Sequence, residues 1–411
     1  MKKLIIISIV ALFAGLACQH NDKITLGTVD KVNSKILKEE RKIWVYVPNS
    51  GNNDVYAKQR YPVLYLLDGD AHFYSVVGMI HQLSSINGNT ICPEMIVVGI
   101  PNTDRTRDLT PTHVDADPPF MDSSAIRTSG GGEAFLSFIQ HELIPHIDST
   151  YPTQPFRILV GHSFGGLTVI NTFVNHTGLF NAYVAIDPSM WWDHKKLLGQ
   201  AKSALEDRQF PGTSLFLGIA NTMSPGMDTL EVQQDTTPMT RHIRSILQLN
   251  GYLAMTRNNQ LKFKSKYYDS DNHGSVPLIA EYDALHFLFE FYPLRLSLDE
   301  QINPDMGAIA KIEKHYEIVS KSMGYTIKFP EELANSMGYQ ELAKKRYSEA
   351  EYLFKLNIAN YPESPNVFDS MGDFYEATGN RVKAMDNFRK ALAIKEIPET
   401  RVKLEKLEQA K

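Results

Sequence analysis

The chain has 411 residues and an ordinary apolar fraction of 43%, enough to bury a large core with room for more than one domain. A net charge of -5 without basic clusters argues against a nucleic-acid partner. The two cysteines, Cys18 and Cys92, cannot make a cysteine-rich metal site, and with Cys18 modified no intrachain disulfide remains.

The first residues, Met1-Lys2-Lys3, are basic, the stretch 4–16 is almost wholly apolar, and Ala17-Cys18 precede the polar run Gln19-His20-Asn21-Asp22. This pattern predicts a signal peptide over 1–18, too short for a comfortable membrane span. The cysteine at the cleavage position resembles a bacterial lipoprotein signal, in which the thiol is lipidated. The expectation is an exported protein of the periplasm or outer membrane, held to the membrane by a lipid anchor at Cys18; plain secretory cleavage nearby is the alternative.

Residues 24–32 and 42–47 alternate apolar and polar side chains about a turn near Asn33 and Ser34, and predict an antiparallel opening pair. The run 62–67 is continuously apolar, as for a central strand buried on both faces. Further apolar runs at 95–100, 158–160, 182–186, 215–219 and 263–268 alternate with helical stretches. That order predicts a doubly wound α/β sheet with crossover helices over residues 24–295. Ligands in such a sheet bind beyond the carboxyl ends of the strands, so the residues that follow each run are the ones to inspect.

After 158–160 comes Gly161-His162-Ser163-Phe164-Gly165, a G-x-S-x-G match set between a strand and a helix at 166–175. A serine on so sharp a turn needs small neighbours two residues away on each side, and Gly161 and Gly165 supply them. Ser163 is the candidate nucleophile, and the Phe164 amide points at a developing oxyanion. An ordinary glycine-rich turn is the bland alternative. His162 lies inside the turn, with its ring expected to point away from the catalytic base.

The other strand ends add candidates. Asp68-Gly69-Asp70 follows the run 62–67, and the amide of Asp70 is the expected second oxyanion donor, compatible with a helix N-cap by the same residue. A long loop over 101–132 carries Arg105 and Arg107, which either receive an anionic or catechol-like substrate or pair with Asp104, Asp108 or Asp115. Gly130-Gly131-Gly132 reads as a flexible entry to a helix at 133–147. Trp191 and Trp192 offer an aromatic wall for the acyl group, or simply core.

A serine hydroxyl needs a base and the base an acid, in the chain order Ser, acid, His. His273 follows the last strand and is the candidate base; most of the other twelve histidines fall in helical stretches, in the leader or in the wrong order. The acid is expected after the run 215–219, where Asp228 is the first carboxylate. Glu231, Asp235 and Asp187 are its rivals, and a base without an acid is chemically possible.

Together the elbow GHSFGG, the loop NTDRTRDLTP, Trp191-Trp192 after Pro188-Ser189, and NHGSVP around His273 resemble the esterase family of bacterial α/β hydrolases. That family includes siderophore trilactone esterases of the ferri-bacillibactin and enterobactin type, and is similar to feruloyl esterases and S-formylglutathione hydrolase. The resemblance covers residues 25–295. It implies an α/β-hydrolase fold, a small-molecule ester substrate, no cofactor or metal, and catalytic roles for Ser163 and His273.

Beyond 295 the strand signals stop. A helix is expected over 304–324 within a linker at 296–333. Gly338 and Gly372 are 34 residues apart, and the same offset relates Ala350 to Ala384 and Phe354 to Phe388. A period of 34 resembles tetratricopeptide repeats, expected over 334–411 with a capping helix at 404–410. Two repeats are too few to stand alone, so they should pack on the helix at 304–324 and on the hydrolase, as a brace or as a groove for a protein partner.

The reading is therefore an exported serine carboxylic-ester hydrolase working through an acyl-enzyme, on siderophore ester or lactone bonds. A feruloyl or acetyl esterase of plant polysaccharide is the alternative among enzymes. A lipid-anchored interaction protein with the hydrolase as scaffold is the alternative from another class.

Overall fold

A computed structural model describes residues 24–48, 55–115, 122–256 and 258–409. The expected signal segment and Cys18 lie outside the described residues. Among those described, no helix is long and apolar enough to cross a membrane.

Eight strands form one sheet. In chain order they are β1 (Thr28–Ser34), β2 (Glu39–Tyr46), β3 (Tyr61–Leu67), β4 (Ile96–Ile100), β5 (Thr153–His162), β6 (Ala182–Ile186), β7 (Ser214–Ala220) and β8 (Lys262–Tyr268). Their spatial order is β1-β2-β4-β3-β5-β6-β7-β8. The β1–β2 and β2–β4 pairs are antiparallel and the rest are parallel. Every residue of β3, β4 and β6 is buried, because helices cover both faces of the parallel sheet. Side chains alternate between the layers: Val63, Tyr65 and Leu67 of β3 enter one core, Leu64 and Leu66 the other. The result is an α/β-hydrolase sheet followed by an all-helical region.

The opening hairpin turns later than the polar pair Asn33-Ser34 suggested. Ser34 still pairs with Glu39, and the chain reverses over residues 35–38, with Lys38 at φ 58°. Ser34 stays in the strand because its hydroxyl donates to Glu142. The segment after β4 contains secondary structure that the sequence did not mark. It holds the helix Arg105–Leu109, capped by Asp104 through the Arg107 amide.

Its three glycines are a packed seam and not a flexible entry. A Cβ on Gly130, Gly131 or Gly132 would come within 2.6–2.7 Å of His113, Arg107 or Thr110, and the Gly131 and Gly132 amides donate to the carbonyls of Arg107 and Thr110. The helix that follows runs from Gly132 to Thr150 through a π-helical turn at Ile139–Leu143.

After a short helix at Leu298–Ile302, the tail continues with the helix Met306–Met323. Two helix pairs follow, Glu331–Ala343 with Tyr347–Asn360, and Pro365–Ala377 with Arg381–Ile394. The second pair starts 34 residues after the first at both helices, three residues ahead of the expected boundary. The repeat has a packing cause. Gly338 and Gly372 each face the ring of the phenylalanine sixteen residues on, Phe354 and Phe388, where a Cβ would stand 2.7 and 2.4 Å from a ring carbon. A last helix, Pro398–Gln409, covers Phe388 with Leu404 and Leu407.

The tail also closes onto the hydrolase. Val319 and Met323 join the core beneath the sheet, and Ile309 and Ile312 pack against Ala334, Met337 and Leu353 of the first pair. Buried Glu331 accepts from the Ala57 amide at 2.8 Å and from the Ser364 hydroxyl at 2.6 Å.

Candidate active site

Ser163 sits between β5 and the helix Phe164–Asn175 at φ 60° and ψ -115°. That conformation is costly for a residue with a Cβ and persists only where the surroundings enforce it. The surroundings here are backbone: a Cβ on Gly161 would stand 2.4 Å from the Gly165 carbonyl oxygen, so the turn closes only with glycine there. The Ser163 amide donates to Ile186 O at 3.0 Å, and its carbonyl accepts from Leu167 and Ser189. The Ser163 hydroxyl faces that of Ser189 at 3.5 Å. It opens into a pocket of about 420 Å³, shared with Phe164, Trp191, Met239, His242 and His273.

His273 comes to this pocket from the turn after β8. Its Nδ1 lies 2.6 Å from Oδ2 of Asp187, which is fully buried at the end of β6. Asp187 is itself held at φ 43°, with its amide on Gly218 O and its Oδ1 accepting from the Ala220 amide at 3.1 Å. Oδ2 also takes a second histidine, His242 Nε2, at 2.8 Å. Burial alone would raise the Asp187 pKa, but the hydrogen bonds from His242 and His273 outweigh it and hold the carboxyl well below the usual range.

Asp228 is therefore not the partner of His273. Its Oδ1 accepts from the amides of Leu230 and Glu231, and Glu231 returns a bond to the Asp228 amide. Asp235 is occupied with Thr237 and Thr240. All three carboxylates shape the segment after β7 by local capping, which is what short acidic side chains in turns commonly do. The carboxylate that His273 meets lies one strand earlier than the segment after β7, because Asp187 follows β6 directly, with no loop to mark it. No local signal marks His242, which opens the helix Arg241–Met255 and meets Asp187 across 55 residues.

His162 also departs from expectation. Its ring lies tilted by 43° against that of His273, with centroids 4.4 Å apart, and His72 lies edge-on behind it at 5.9 Å. Burial, with the nearby His273 adding to it, pushes the His162 pKa down to about 3. His273 thus rests against a neutral imidazole.

On the other rim, Arg105 makes a two-pronged bond to Asp68, at 2.6 and 3.0 Å, and lies 5.4 Å over the Phe164 ring. It stands at the site but its charge is already paired. Arg107 is elsewhere: it clamps Glu39 and Asp108 beside buried Arg41, and serves the loop rather than the pocket. Asp68, not Asp70, precedes the helix Gly69–Ser84, whose second residue is Asp70. The first-turn amides of a helix have no intrahelical acceptors. The two helix starts abut, since a Cβ on Gly165 would lie 3.4 Å from Leu67 Cβ and 3.1 Å from Asp68 Oδ2. Of the two indoles, Trp191 lines the pocket, whereas Trp192 is 2% exposed, packs edge-on against Phe164 and donates to Thr112 O, a core pillar.

Asp187, His242 and His273 bring three potential metal ligands within 4.8 Å of one another. They do not fit one as arranged. The Trp191 indole N–H, which can only donate, points at His242 Nδ1 at 3.0 Å. The imidazole proton is then on Nε2, which donates to Asp187 and has no lone pair to offer.

The sheet, the elbow and the paired histidine define an esterase of the α/β-hydrolase fold. The chain belongs to the family described as Putative esterase, whose model matches residues 34–275, more than half of its length. Among characterised proteins it is 24% identical over 248 residues to the siderophore triacetylfusarinine C esterase of Aspergillus fumigatus, covering 57% of this chain and 84% of that protein. It is 32% identical over 151 residues to the ferri-bacillibactin esterase of Bacillus subtilis, covering 34% of this chain and 51% of that one, so it spans only about half of the latter. Among solved structures, an IroE-like serine hydrolase from Shewanella oneidensis aligns with a TM-score of 0.66 and 28% identity over 80% of this chain and 98% of that one. An uncharacterised protein from Capnocytophaga ochracea shares the fold over 93% of this chain and 99% of its own, at 17% identity and a TM-score of 0.54, so the likeness extends into the helical tail.

Proposed function

We propose that Ser163, His273 and Asp187 act as a catalytic triad that cleaves siderophore ester or lactone bonds through an acyl-enzyme. The observation that carries this is the 2.6 Å bond from His273 to a buried carboxylate at the strand end beside the elbow. His273 takes the Ser163 proton as the hydroxyl attacks the ester carbonyl, and returns it to the leaving alkoxide. A water, deprotonated by the same imidazole, then releases the acid and restores Ser163. Asp187 holds the His273 tautomer and balances the imidazolium. The amides of Phe164 and Asp70 receive the oxyanion.

The siderophore assignment rests on the named activities of the relatives and on a pocket walled by Trp191 and Met239, which suits an aromatic acyl group. The leader over 1–18 supports export with a lipid anchor, and the 34-residue period supports tetratricopeptide-like repeats open to a protein partner.

Burst kinetics test the chemistry. The protein should release p-nitrophenol from a short-chain ester in a burst that Ser163→Ala abolishes, and should cleave a catecholate trilactone. Undiminished turnover in the alanine variant would refute the triad. Turnover of a feruloyl sugar in place of the trilactone would redirect the substrate.

A further inference from the structure

Asp187 Oδ2 receives two imidazole N–H groups, from His273 at 2.6 Å and from His242 at 2.8 Å, while Oδ1 receives the Ala220 amide at 3.1 Å. One oxygen has two lone pairs, so Oδ2 is saturated. The hydrolysis itself requires only one of the two histidines. His242 is the more enclosed of the two: its side chain is 14% exposed against 42% for His273, and both its nitrogens are engaged.

The engagement has a fixed direction. Indole can only donate, so Trp191 Nε1–H fills the Nδ1 lone pair of His242, and the ring proton sits on Nε2 facing Asp187. A second proton would have to expel the indole. It would also arrive near the Arg241 guanidinium, which lies 4.9 Å over the Trp191 ring. The ionisable groups around His242 are then Asp187, His273 and, across the Trp191 ring, Arg241. The rings of His242 and His273 meet edge to face, with centroids 5.1 Å apart and planes at 86°, and both reach the same oxygen of Asp187.

We propose that His242 is a positioning residue for the ester hydrolysis. Locked by Trp191 in its Nε2–H tautomer, it holds the Asp187 carboxylate at the angle that presents it to His273. The inference rests on the triad reading above. Trp191 thereby links the pocket wall to the acid: a side chain that lines the substrate pocket also sets the proton position two bonds away from His273.

Glutamine tests the lock, because its amide can donate to Asp187 and accept from Trp191 as the locked imidazole does. His242→Ala should lower kcat about 10- to 100-fold with KM within about twofold, the usual scale for losing the partner that orients a catalytic ligand. His242→Gln should recover kcat to within about threefold. A merely structural role predicts equal losses in both variants, and that result overturns the proposal. Nitrogen-15 NMR of the histidines in the unmodified protein gives a second readout independent of variant folding. His242 should show a protonated Nε2 and a bare Nδ1, and a proton on Nδ1 would overturn the lock. Ser163→Ala in the same series separates the two readings. An inactive alanine variant beside a fully active His242→Ala sinks this inference alone, whereas an active Ser163→Ala sinks the triad itself.

Discussion

Two buried carboxyl groups in this protein are driven in opposite directions. Asp187 has three hydrogen-bond donors and stays ionised despite complete burial. Glu281, on the helix Val276–Leu288, is 5% exposed, and burial among Leu64, Val160, Val184 and Leu285 pushes its pKa up to about 8. The sign follows from the proton count. Between about pH 4.5 and 8 the folded chain keeps a proton on Glu281 that the unfolded chain has released, so stability falls as pH rises, at up to roughly 1.4 kcal/mol per unit. Thermal melts should show that slope in the unmodified protein and a flatter one in Glu281→Gln; parallel curves would contradict it. None of this was legible in the sequence, where Glu281 reads as one polar residue on an apolar helix. Ser163 was legible, since five consecutive residues carry its turn.

At the scale of elements, the apolar runs marked the strands because a parallel sheet covered on both faces needs unbroken β-branched and aromatic stretches. The run 182–186 matches β6 residue for residue. What the runs could not mark was where polar residues join a strand by finding partners far away, as Ser34 does with Glu142. The 34-residue period was legible for a similar reason of packing: each repeat needs a glycine where the next helix lays a phenylalanine ring against it. Phe388 is fully buried, so the ring cannot swing aside for a new Cβ at position 372. Gly372→Ala should therefore destabilise the protein by about 1–3 kcal/mol. Urea unfolding measures this, and an unchanged midpoint would contradict the packing account.

Across the whole molecule, the site is assembled from the ends of β3, β5, β6, β7 and β8 and the segments that follow them. The helical tail completes the core beneath the sheet through Val319 and Met323. Residues that meet only through such an assembly leave little trace in local sequence. The position of His273 after the last strand is legible, but the carboxylate it meets is 86 residues away at the end of β6, while Asp228, nearer in the chain, accepts from the amides of Leu230 and Glu231. That exchange of Asp228 for Asp187 is the claim on which the proposed chemistry turns. The most direct test compares kcat for Asp187→Asn and Asp228→Asn on one p-nitrophenyl ester. The account predicts a fall of about 10³- to 10⁴-fold for Asp187→Asn, with Asp228→Asn within about twofold of the unmodified protein. Loss of turnover in Asp228→Asn with Asp187→Asn still active would contradict it.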